Sequence, residues 1–182
     1  MEPTRLAVLK EALREIIDQE GFIPDQEAFN LFMQIVKGTA VEACAVNARG
    51  ELLLQYRHFS EWPEKWSETR TWYIPGGLAR TKDLSMEEEC RANLMKDGVL
   101  NNIEFIETCH TYPWKHGEHP FGWIFVSNLC VCRVLGELEL REGMEGKFKF
   151  VDEVVPSYVP NHTKFQEEFF RWRDKNLHLF KR

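Results

Sequence analysis

The stretch from Trp72 to Val99 constrains the fold more than any other part of the chain. Trp72-Tyr73-Ile74 reads as a short strand, and Pro75-Gly76-Gly77 stops it. A helix is expected from about Ser85 to Lys96, with Gly98 ending it. Strand, glycine bend and helix in that order set the main chain of the bend beside the helix. Glycines at such a bend let a phosphate or a metal approach the backbone closely.

The segments on either side supply the rest of a mixed sheet. Val41 to Val46 and Leu52 to Tyr56 read as two strands joined through Asn47-Ala48-Arg49-Gly50. Ile103 to Thr111 and Phe121 to Val134 read as longer strands, and the second is apolar enough to be central. Lys147 to Val151 suits a further strand. A last helix is expected near Thr163, with Thr163 and Gln166 as a capping box. At the other end, Leu6, Leu9, Leu13, Ile16 and Ile17 have helical spacing. A second helix is expected after Pro24, with Asp25 as its cap. The expected organisation is a helical N-terminal segment, residues 1–38, followed by a mixed α+β domain, residues 39–182.

Composition narrows the function. A chain of 182 residues with 43% hydrophobic and 29% charged side chains is globular. Its net charge of −6 argues against broad attraction to nucleic acid or to an anionic membrane. No apolar run approaches the roughly 20 residues of a membrane helix. The N-terminus lacks an apolar signal core, so a cytoplasmic protein is expected. Cys44, Cys90, Cys109, Cys130 and Cys132 are scattered, which suits reduced thiols better than disulfides or zinc.

The stretch from Gly77 to Val99 resembles the Nudix box, the strand-loop-helix signature of the Nudix hydrolases, whose pattern is G-x5-E-x7-R-E-U-x-E-E-x-G-U with U aliphatic. Gly77 takes its first position. Asp83 falls on the first glutamate, Arg91 on the arginine, Gly98 on the last glycine and Val99 on the last aliphatic residue. The resemblance implies the Nudix fold, an α/β/α sandwich, and hydrolysis of a nucleoside diphosphate derivative with Mg²⁺. The core of the box departs from the family: Ala92, Met95 and Lys96 stand where three glutamates hold the metal. Mg²⁺ requires oxygen ligands, and these side chains offer none. A displaced site from Gly77, Asp83, Glu88 and Glu89 is one substitute. The alternative is that Glu88 and Glu89 form a solvated first turn that suits the helix dipole. Lys96 suggests a second substitute, an ammonium that neutralises a bound phosphate without Mg²⁺. Its alternative is a helix-end lysine in solvent.

Outside the box, Ile23 to Phe29, Asn47 to Arg57 and Asn161-His162-Thr163 are similar to the GDP-mannose mannosyl hydrolase subgroup. That likeness implies a nucleotide sugar substrate, a histidine base from a loop and arginines on the leaving diphosphate. Arg57 matches the arginine at the hairpin's end. Leu78 stands where the subgroup has another, and Arg80 is nearby. His110, His116 and His119 lie in or beside the loop that would carry the base. His119, next to Pro120, is the best anchored, and His116 follows. Tyr73, Gly76, Gly77, Arg80 and Lys96 would complete the substrate contacts. Trp62, Trp66, Trp72, Tyr112, Trp114 and Trp123 offer aromatic faces for a base, with core packing as the alternative. Loss of the glutamates leaves a second function open: a catalytically silent Nudix fold that binds a nucleotide-like ligand or a protein. The N-terminal helices are expected either to cap the sheet or to mediate a homodimer.

Overall fold

The computed structural model describes residues 8, 10–12, 14, 38–58, 70–79, 84–115, 118 and 125–180. Residues 8, 10–12 and 14 are helical, as the N-terminal spacing implies. The helix expected after Pro24 lies outside the described residues, as do Trp62, Trp66 and Trp123.

The sheet is built around strand β1 (Gly38–Val46). A tight turn leads from it into β2 (Leu52–His58). Asn47 makes that turn by accepting from the amides of Arg49 and Glu51 through Oδ1, at 2.9 and 3.1 Å. Strands β3 (Arg70–Tyr73) and β4 (Gly76–Leu78) follow, separated by Ile74-Pro75. The glycine pair therefore does more than stop a strand. It forms one of its own, which pairs with β1 at Glu42↔Gly76 and Val41↔Gly77. Helix α1 (Met86–Asp97) comes next, then β5 (Ile103–Pro113), β6 (Phe125–Val134), β7 (Phe148–Val151) and helix α2 (Pro160–Lys175). The order across the sheet is β3-β2-β1-β6-β5, with β4 on β1 and β7 on β2. β6 runs parallel to β1 from Gly38↔Phe125 to Val46↔Arg133, and its other pairing is antiparallel to β5. Its apolar run thus fits an interior strand.

Side chains alternate across β1 and feed two cores. Ala40 and Cys44 join Leu54, Trp114, Leu129, Phe165 and Phe169 beneath α2. Val41, Ala43 and Ala45 join Cys90, Leu94, Val99 and Cys130 beneath α1. The sheet between two helices is the expected α/β/α arrangement. All five cysteines are free thiols. No helix of the described residues is long and apolar enough to cross a membrane.

The two helix starts differ from each other in what sequence shows. Ser85 caps α1 in a reciprocal box with Glu88, and Gly98 closes it at φ 108° as expected. Helix α2 begins earlier than Thr163, at Pro160 with Val159 as its cap. Proline at the first helical position needs no amide partner, which accounts for the earlier start. Thr163 and Gln166 instead bind the incoming chain. Thr163 Oγ1 accepts from the Ser157 amide at 2.9 Å, and Gln166 Oε1 accepts from the Val155 amide at 2.8 Å.

Candidate functional site

The bend is defined by what it leaves no room for. A Cβ on Gly76 would stand 2.2 Å from Glu42 Oε2 and 2.8 Å from the Val41 carbonyl. A Cβ on Gly77 would stand 3.0 Å from Asn93 Oδ1 and 3.6 Å from Lys96 Nζ. Adjacent glycines thus receive a carboxylate from the sheet and an amide and an ammonium from α1.

Glu42 interrupts the apolar run of β1 and is 6% exposed. Ser127 Oγ on β6 donates to its Oε1 at 2.9 Å, and Trp114 Nε1 donates to Ser127 Oγ at 2.9 Å. Burial pushes the Glu42 carboxyl up to about 7; the Ser127 bond opposes that rise and the Asp97 charge adds to it. A carboxyl that titrates near neutrality suits proton transfer.

Tyr73 extends the polar floor along β3. Its hydroxyl donates to Gln55 Oε1, directly across the β2–β3 ladder. Arg57 Nη1 donates to the Tyr73 hydroxyl at 3.5 Å, and His162 from α2 meets the Tyr73 ring edge-on at 5.4 Å. Burial, and then the Asp97 charge, raise the phenol's pKa.

Helix α1 contributes an unusual stripe. Glu89, Asn93 and Asp97 follow at four-residue spacing, and all three are buried. Asn93 Nδ2 donates to the Val41 carbonyl at 3.2 Å, which fixes the amide against β1. Its Oδ1 is buried and has no hydrogen-bond partner among the described residues. Lys96 is exposed one turn on and makes no ion pair among them.

Of the residues expected from sequence, Gly76, Gly77, Lys96, Tyr73 and Arg57 are gathered at or beside the bend. Glu88 is not. It is exposed, and its carboxylate accepts from Ser85 N and Oγ, both at 2.7 Å, which holds it below the usual range. Glu89 is buried in the α1 stripe, not part of a solvated turn. Arg91 binds Glu87 at 3.1 Å and Asn102 at 3.2 Å. His110 faces Glu168 of α2 at 3.9 Å. Trp114 is core, with its indole committed to Ser127. Arg80, Asp83, His116 and His119 lie outside the described residues.

Of the metal set expected from sequence, Asp83 lies outside the described residues and Glu89 is buried in the α1 stripe. Glu88 is occupied in the cap, an ammonium stands at Gly77, and no group of three histidine, cysteine or acidic side chains converges among the described residues. Glu42, Ser127, Gln55, Asn93 and Asp97 carry the site's geometry and were not expected from sequence. Two signals were available: a charge inside a buried strand, at Glu42, and the four-residue spacing of Glu89, Asn93 and Asp97.

The sequence matches no family model and no curated protein. Its fold does have counterparts among solved structures. An ADP-ribose pyrophosphatase from Streptococcus suis is 16% identical with a TM-score of 0.51, over 75% of this chain and 91% of that one. A UDP-X diphosphatase is 16% identical with a TM-score of 0.53, over 96% and 82%. A Nudix family hydrolase from Clostridium perfringens is 12% identical with a TM-score of 0.51, over 75% and 98%. The chain has the Nudix fold.

Proposed function

We propose that this chain is a divergent Nudix-type hydrolase acting on a nucleoside diphosphate derivative, with nucleotide sugars such as GDP-mannose as the first compounds to try. The observation that carries this reading is the cation of α1 at the glycine bend, Lys96 at Gly77, with a near-neutral carboxyl, Glu42, at Gly76 on the opposite face of the same strand. A diphosphate wrapped around the bend would meet the ammonium at Gly77 and reach the Glu42 carboxyl at Gly76 on the other face, which would take a proton from attacking water. Ser127, itself held by Trp114, keeps the Glu42 carboxyl in place. Arg57, beside Tyr73, adds positive charge for the departing phosphate. The names of two compared structures, a pyrophosphatase of ADP-ribose and a diphosphatase of UDP-X, support the substrate class.

A second reading has its own support. Ala92, Met95 and Lys96 remove the metal carboxylates on which the family's hydrolysis depends. That favours a silent binder of the same ligands. Turnover of a panel of nucleoside diphosphate sugars, followed by phosphate release and by ³¹P spectra, separates the two. Hydrolysis lost in Glu42→Gln supports the enzyme. Thermal stabilisation by these compounds without any product supports the binder.

A further inference from the structure

We propose that the Lys96 ammonium replaces the divalent metal at the Gly77 bend, so that this chain captures a diphosphate without Mg²⁺. The inference rests on the reading that the bend takes a nucleoside diphosphate, and it specifies the cation of that same site.

Three observations converge. Lys96 Nζ would lie 3.6 Å from a Cβ on Gly77, so the ammonium stands beside a residue that presents only backbone. It makes no ion pair among the described residues, whereas Arg91 on the same helix is tied to Glu87 at 3.1 Å. The third is Asn93. Its amide is 1% exposed, pinned through Nδ2 to the Val41 carbonyl, and turns an Oδ1 without a described partner toward Gly77. A buried acceptor without a partner is costly, so a donor is expected there when ligand binds. A ribose or sugar hydroxyl next to a phosphate supplies one.

Helix polarity explains why a cation is needed. Gly77 faces the last turn of α1, the carbonyl end, where the helix dipole repels anions. Asp97, the residue after Lys96, adds a buried carboxyl to that turn. A phosphate can settle there only if positive charge comes with it. The three box positions that would give a metal its oxygen ligands are Ala92, Met95 and Lys96 here. Lysine supplies the charge as a compact ammonium with three donors.

The test is isothermal calorimetry of inorganic pyrophosphate and of ADP with the full chain, in EDTA and in Mg²⁺. Lys96→Ala, Lys96→Arg and Lys96→Glu are compared, and melting curves confirm that each exposed-site variant folds. The expected result is binding in EDTA comparable to that in Mg²⁺. Lys96→Ala loses about tenfold or more, the scale of one charge-assisted hydrogen bond. Lys96→Arg keeps most of the affinity. Lys96→Glu binds only when Mg²⁺ is present. Binding that requires Mg²⁺ in the native chain and survives Lys96→Ala overturns the inference while leaving the diphosphate site standing. Absence of binding by either probe in both conditions overturns the site reading and the inference together.

Discussion

Ser127 Oγ donates to Glu42 Oε1 at 2.9 Å across the parallel β1–β6 pair, so one buried hydroxyl fixes the only acidic side chain of β1. That hydroxyl is held in turn by the Trp114 indole at 2.9 Å. The chain of bonds orients a carboxyl that burial would otherwise leave poorly satisfied, and it leads to the first prediction.

Glu42 titrates at its ordinary 4.5 when unfolded and at about 7 in the fold. Between those values the native state holds the extra proton, so this contribution to stability is complete below 4.5 and is lost as pH rises through 7. Glu42→Gln, which mimics the neutral carboxyl, should remove that slope. Urea titrations from pH 4 to 8 should show the native chain losing about 3 kcal/mol relative to the variant. Parallel profiles for the two proteins would contradict the assignment.

Gly76→Ala should be destabilising by about 2 kcal/mol, because its Cβ would stand 2.8 Å from the Val41 carbonyl as well as against Glu42. Backbone cannot move aside as a side chain can. A melting temperature equal to the native one would show that the bend is looser than described.

Tyr73→Phe should cost about 2 kcal/mol by leaving the buried Gln55 acceptor without its donor. It also releases Arg57, so ligand affinity should fall with stability. Denaturant midpoints and calorimetry on the same preparation check both effects.

Ser85→Ala should weaken α1 by about 1 kcal/mol through loss of its cap. Glu88→Gln should leave turnover near the native value, since that carboxylate belongs to the cap. A collapse of turnover in Glu88→Gln at unchanged stability would return Glu88 to the chemistry.

Much of the fold was legible because local signals and burial agreed. Asn47 to Gly50 made the turn that its residues require, and Ser85 and Gly98 marked the ends of α1. The start of α2 is hidden in the sequence because Thr163 and Gln166 have cap-like spacing but bind backbone at Ser157 and Val155. The site was legible only in part. The glycine pair and Lys96 announced themselves through the box spacing. Glu42 and Asn93 did not, because their roles depend on which strand and helix lie opposite them. Glu88 illustrates the converse: helix spacing put it on a shared face, whereas its carboxylate accepts locally from Ser85.

The most direct test is an amide NMR titration of the full chain with ADP. Saturable shifts centred on Gly76, Gly77 and the Asn93–Asp97 turn are predicted, and Lys96→Ala should weaken them. Shifts confined to other parts of the sheet, with the bend unmoved at saturation, would contradict the account.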